Sequence, residues 1–174
     1  MKINAYQFCN KLVMIFSFFL LGINANAQVN YKIHSLFIYK FTQYIEWPSN
    51  QGDFVIGIVG NSPVQAELEA IAAAKKVDTR TIVVKKMSAS ADLSSCQMVF
   101  IAEGQSSNLA SIAAKLQGKH TLIISETNGG AKKGAGINFV IVDDKMKFEL
   151  NKGTVEKQGL KVSGDLTKLA IVVG

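Results

Sequence analysis

The chain has 174 residues, 48% of them hydrophobic, and 19 Lys and Arg stand against 13 Asp and Glu for a net charge of +6. The lysines are scattered, their longest clusters being the pairs Lys75-Lys76, Lys85-Lys86 and Lys132-Lys133, and no aromatic platform accompanies them, so nucleic acid is excluded as a partner. Two histidines and two cysteines leave little material for a metal centre or a disulfide framework.

The first 27 residues have the pattern of an export leader. Lys2 and Lys11 precede an uncharged apolar run of 12 residues, Leu12 to Ile23, and Ala25-Asn26-Ala27 has the small-x-small form of a signal-peptidase site. A membrane-spanning helix needs roughly 20 apolar residues, so a cleaved leader fits better than an anchor. Gln28 stands where a lipoprotein would need Cys. The expected mature chain, residues 28–174, loses Lys2 and Lys11, which lowers the net charge from +6 to +4. It is long enough for one domain that hides about two-thirds of its unfolded surface.

Tyr31 to Trp47 is predicted as a helix, because Ile33, Phe37, Phe41, Tyr44 and Ile45 recur at three- and four-residue steps and Leu36 widens that face. Pro48 would end it. Off this stripe lie Tyr31, Ile38, Tyr39 and Thr42, three of them apolar or aromatic where solvent should face. Two readings stay open: a helix buried on two sides by its own fold, or a contact helix that meets another protein through Tyr31, Ile38, Tyr39 and Thr42.

Phe54 to Val59 is a continuous apolar run, as a strand covered on both faces requires. Ser62, Pro63 and Gln65 form an S-x-x-Q start for a helix from Pro63 to about Lys76. Thr81 to Lys85 and Gln97 to Ala102 read as strands. Ser106 or Ser107 would cap a helix to about Gln117, with Gly118 as its stop, and His120 to Ser125 repeats the strand pattern. The glycine-rich stretch Gly129 to Gly136 is expected to be a mobile loop. Ile137 to Val142 and Lys145 to Leu150 flank Asp143-Asp144 as an antiparallel hairpin. Asn151 would cap a short helix ending at Gly159, Leu160 to Val162 is extended, and Ser163 would cap a last helix through Ile171. The alternation predicts an α/β fold of three layers: a mostly parallel sheet with helices on both faces and a C-terminal antiparallel hairpin.

Catalytic signatures are missing from this pattern. Gly60-Asn61-Ser62-Pro63-Val64 lacks the second glycine of a nucleophile elbow and uses its serine as a cap. His34 and His120 are far apart, neither H-x-x-x-H nor C-x-x-C occurs, and Asp143-Asp144 reads as a solvated turn, so no catalytic, cofactor or metal residue is assigned. In open α/β sheets ligands settle beyond the carboxyl ends of the strands, which makes Asn61, Ser62, Ser106 and Glu126 the candidate ligand-binding residues, with ordinary capped turns as the plainer reading. Cys96, before the apolar run Met98 to Ala102, reads as a buried small residue rather than a reactive thiol.

Several blocks in register carry a resemblance. Tyr39-Lys40-Phe41-Thr42-Gln43-Tyr44-Ile45-Glu46-Trp47-Pro48, Ile56 to Pro63, Cys96 to Glu103, Thr121 to Glu126, Gly136-Ile137-Asn138-Phe139, Phe148 to Asn151 and Gly159 to Ser163, with Leu166, Leu169 and Ala170, are similar to the YfiR family of exported regulators. The resemblance implies a periplasmic α/β protein without enzymatic activity. Such a protein represses a membrane-bound diguanylate cyclase by binding its periplasmic sensor region, until an outer-membrane lipoprotein captures it and cyclic di-GMP rises. It also implies a tendency to homodimerise. Related domains serve as extracytoplasmic sensor modules of histidine kinases, so the alternative is a small-molecule-binding sensor protein. Better-known members carry paired cysteines, whereas Cys96 stands alone here, which speaks against intrachain redox control. Gly134-Ala135-Gly136 holds one more glycine than the family pattern.

Overall fold

The computed structural model describes residues 30–174; the predicted leader and its cleavage site lie outside the described residues. The chain opens with α1 (Tyr31–Phe41) and a two-residue strand β1 (Ile45–Glu46), followed by β2 (Phe54–Val59) and α2 (Val64–Ala74). Then come β3 (Lys76–Val77), β4 (Arg80–Met87), β5 (Met98–Ile101), α3 (Leu109–Lys115) and β6 (Leu122–Ser125). The hairpin strands β7 (Ile137–Val142) and β8 (Lys145–Leu150) are followed by α4 (Lys152–Lys157), β9 (Lys161–Val162), α5 (Gly164–Leu169) and β10 (Ile171–Val172).

The main sheet has eight strands in the order β3-β4-β2-β5-β6-β7-β8-β10. Strands β4, β2, β5, β6 and β7 are mutually parallel, β8 runs antiparallel to β7, and β10 returns parallel to β8. The mostly parallel three-layer α/β fold expected from the sequence is therefore present. Alternation along each central strand feeds two cores. Phe54, Ile56 and Ile58 of β2, Met98 and Phe100 of β5, and Leu122 and Ile124 of β6 face α1, α2 and α5. Val59, Val99, Ile101 and Ile123 point the other way onto Leu109, Ile112 and Leu116 of α3. That is the side-chain period of two, with both faces covered.

The first helix differs from its prediction. It ends at Phe41, seven residues before Pro48, in a tight turn whose Thr42, Gln43 and Tyr44 amides donate to the Tyr39, Lys40 and Phe41 carbonyls. Ile45 and Glu46 then pair with Val162 and Lys161 in a small antiparallel sheet. With Tyr44 and Ile45 out of helical phase, the buried stripe becomes His34, Ser35, Ile38 and Phe41. Ile38, off the predicted stripe, is fully buried, as the reading of a helix covered on two sides by its own fold requires at this position, and the outward apolar residues are Ile33 and Leu36, the latter 49% exposed. Trp47 still closes onto the sheet: its ring meets Phe54 edge-on at 5.0 Å, and its indole N–H donates to the Gln97 carbonyl at 3.1 Å.

Other elements also depart from the expectation. The glycine-rich stretch is not a free loop. It forms a 3-10 turn, Gly130–Lys133, in which Gly130, Ala131 and Ala135 are buried, and a Cβ on Gly130 would strike the Ser125 hydroxyl and the Asn138 carboxamide. Ahead of α3, a 3-10 segment, Glu103–Asn108, takes up Ser106 and Ser107, and neither caps the helix. The last helix stops at Leu169, because Ile171 and Val172 add to the sheet beside Glu149 and Leu150. Asn151 and Ser163 do cap α4 and α5, accepting from the Thr154 and Leu166 amides. Asp143 and Asp144 both take positive φ in the hairpin turn, as the tight two-residue connection demands.

The reassigned face gives a direct check. Ile38→Ala should lower the unfolding free energy by about 2–4 kcal/mol through cavity formation, while Leu36→Ala stays within about 0.5 kcal/mol. Urea denaturation of the two variants measures both.

Candidate functional site

Doubly wound sheets offer a crevice where the strand order reverses, here between β2 and β5. In this chain that crevice is filled. Gly60 sits at φ +97°, and a Cβ there would lie 2.7 Å from Gln105 Cγ and 3.2 Å from Ala102 Cβ, so the loops after β2 and β5 pack on each other. The open space lies further along, at the carboxyl ends of β5, β6 and β7 under the first turn of α1. It is a cleft of about 300 Å³ whose lining includes Tyr31, His34, Glu103, Glu126, Phe139 and Met146.

Two nearly buried ionisable groups face each other there. His34 Nδ1 lies 3.2 Å from the Asn30 carbonyl and donates to it, which leaves Nε2 as an acceptor 4.0 Å from Glu126 Oε2. The side chains are 4% and 10% exposed. The separation is too long for a hydrogen bond, and the pair is not a simple ion pair, because burial drives both partners toward neutrality. Burial pushes the Glu126 carboxyl up to about 7, reinforced by the charge of Glu103 and opposed by the Glu103 amide that donates to it at 3.3 Å. Burial lowers the His34 imidazole, and the Asn30 carbonyl only partly restores it. The His34 ring packs against Phe139 at 4.3 Å and Tyr31 at 5.4 Å.

Asn138 fixes the turn that carries Glu126. Fully buried in β7, its carboxamide oxygen accepts from the Ser125 hydroxyl at 2.7 Å and the Thr127 amide at 3.1 Å, and its nitrogen donates to Glu149 at 2.9 Å. A lone Asn in the apolar run INFVIV was the signal for this role, since a buried carboxamide must find partners. His34 left no comparable trace.

The ligand residues expected from the sequence do not converge. Asn61 is exposed and accepts from Lys86 Nζ at 2.6 Å beside a separate surface depression. Ser62 caps α2 through the Val64 amide at 3.3 Å, and Ser106 sits half-buried in the 3-10 segment. Only Glu126 belongs to the cleft. The expected contact residues also separate: Tyr31 lines the cleft, Ile38 is core, the Tyr39 hydroxyl donates to the Lys76 carbonyl, and the Thr42 hydroxyl donates back to Tyr39.

A second feature is an apolar groove of about 200 Å³ between α1, β8 and α5, with Leu36, Phe37, Tyr44, Phe148, Leu166 and Leu169 in its walls and Lys40 at its rim. Leu36, Leu169 and, beyond α5, Val172 expose about half or more of their surface. Strand β10 ends the sheet, so among the described residues its outer edge has no paired neighbour.

A family model described as YfiR/HmsC-like matches residues 31–171, from the first turn of α1 to the first residue of β10. The chain belongs to the YfiR/HmsC-like family. A search of curated proteins found no match. The YfiR-like family is regulatory rather than catalytic and is periplasmic. No helix among the described residues is long and apolar enough to cross a membrane. Cys96, the thiol of this YfiR/HmsC-like domain, is 2% exposed, with Gly57 packed over its sulfur, and burial pushes its ionisation up.

Two measurements follow from these environments. A carboxyl raised in the folded state retains its proton between its unfolded value near 4.5 and about 7, so the contribution of Glu126 to stability falls as pH rises through that window. Glu126→Gln should match the parent protein at pH 4.5 and be more stable at pH 8 by about 1–2 kcal/mol, discounted for the water that reaches the carboxylate. Urea melts at both pH values test the difference. Cys96 should react with a disulfide reagent at least tenfold more slowly in native buffer than in denaturant, roughly the protection that a closed core gives a thiol.

Proposed function

We propose that the protein is a periplasmic regulator that binds the periplasmic sensor region of a membrane-bound diguanylate cyclase and represses it, lowering cyclic di-GMP signalling. Export follows cleavage after Ala27. An outer-membrane lipoprotein relieves the repression by capturing the regulator. Family membership supports the class of activity, and one observation carries the contact: the outward apolar stripe of α1 together with Leu169 and the free edge of β10.

The energetic requirement is modest. A regulator shifts its target only by its difference in affinity for the active and inactive states. A tenfold bias takes about 1.4 kcal/mol, within reach of a few apolar side chains buried on contact. Leu36, Phe37 and Leu169 offer such groups on elements already rigid in the free protein, so little ordering entropy opposes docking.

The test is capture from the protein's own membranes. Leu36→Glu combined with Leu169→Glu should reduce recovery of the cyclase at least tenfold and raise cellular cyclic di-GMP, while stability changes by no more than about 0.5 kcal/mol. Unchanged capture by this well-folded variant would place the contact elsewhere.

A further inference from the structure

The cleft under α1 carries the opposite sign to the rest of the chain. In a protein where basic residues outnumber acidic ones, the charged groups on its walls are the carboxylates of Glu103 and Glu126, and among the described residues no lysine or arginine lines it. Once the Glu126 carboxyl is ionised, the two polar atoms that meet there, His34 Nε2 and Glu126 Oε2, are both acceptors. His34 Nε2 has no hydrogen-bond partner among the described residues, although the side chain is 4% exposed, and Nδ1 holds the proton for Asn30. Glu126 Oε2, 4.0 Å away, faces the same point. Two acceptors 4.0 Å apart on the wall of an open cleft leave room for one donor between them.

We propose that the cleft binds a small aliphatic amine, whose protonated amino group lies between Glu126 Oε2 and His34 Nε2 and whose carbon chain rests on Phe139, Ile141 and Met146. A nitrogen about 2.8 Å from each acceptor bridges the gap with charge-assisted hydrogen bonds. The rings of Phe139 and Tyr31 pack beside the imidazole, with centroids 4.3 and 5.4 Å from it, and add an aromatic wall near the ammonium. The volume of about 300 Å³ restricts the ligand to a small molecule or a single side chain. Asn128 and Thr127 at the rim supply further polar contacts, on a turn that Asn138 holds from below.

The charges around Glu126 determine the pH dependence. Among the described lining residues they are Tyr31 and His34 on α1 and Glu103 on the loop after β5, while β7 and β8 contribute Phe139, Val140, Ile141 and Met146. An arriving ammonium supplies the counter-charge that burial denies the carboxyl, so binding expels the proton the free protein holds up to about pH 7. Affinity for an amine therefore strengthens with rising pH; affinity for a carboxylate ligand would do the reverse.

Titration calorimetry of the purified protein with putrescine, with Nα-acetyl-lysine amide and with acetate tests the assignment independently of any cyclase contact. Saturable one-to-one binding of either amine is expected, about tenfold tighter at pH 8 than at pH 6. Binding of putrescine alone points to a free amine, and binding of the capped lysine alone to a protein side chain; either supports the site. Glu126→Gln should abolish binding and Asn61→Ala leave it unchanged. If Glu126→Gln does not fold, amide shifts of Thr127 and Asn128 in the parent protein on adding putrescine replace it as the readout. No heat with either amine, tighter binding at pH 6, preference for acetate, or shifts confined to other loops would overturn the proposal.

Discussion

Strands β2, β5 and β6 send alternate side chains into two separate cores, and that double burial dictates most of the architecture. Neither face can be left to water, so the sequence must supply helices on both sides, and right-handed crossovers between parallel strands deliver them. The face under α1 and α2 receives the aromatic residues Phe41, Phe54, Phe100, Phe139 and Phe148, and the opposite face is closed by the short α3. Because α1 precedes the sheet and runs across β7 and β8, it roofs the carboxyl ends of β6 and β7 with its first turn and meets β8 with its last.

A buried carboxamide joins the parallel half to the hairpin. Asn138 satisfies Ser125, Thr127 and Glu149 at once, and the close approach of Gly130 completes its surroundings. This explains why a stretch with so many glycines is well packed. Gly130, Gly134 and Gly136 admit backbone where a Cβ would collide, and the conformational entropy lost is offset by the hydrogen bonds they permit.

Much of this was legible in the residues. Continuous apolar runs marked β2, β5 and β6, the alternation of Met146, Phe148 and Leu150 marked one arm of the hairpin, and Asn151 and Ser163 announced their caps. The phase of α1 was not legible, because Tyr44 and Ile45 mimic a helical continuation while belonging to a strand paired with residues more than a hundred positions away. The same limit hid β10 behind a helical pattern. At the cleft, Glu126 followed from its place after a strand, whereas His34 became its neighbour only through the way α1 crosses the sheet. Local signals cannot encode a meeting of that kind, nor the packing of Gln105 against Gly60 that fills the crevice between the loops after β2 and β5.

One helix of eleven residues has its first turn over an acidic cleft and its outer side beside an apolar groove. Tyr31 and His34 touch one, Leu36 and Phe37 the other, and no flexible segment separates them. Thermodynamic linkage then makes any communication through α1 mutual: whatever factor occupancy of the cleft imposes on docking at the groove, docking imposes equally on occupancy of the cleft. A single rigid rod in this position acts as a lever with both arms inside one small domain.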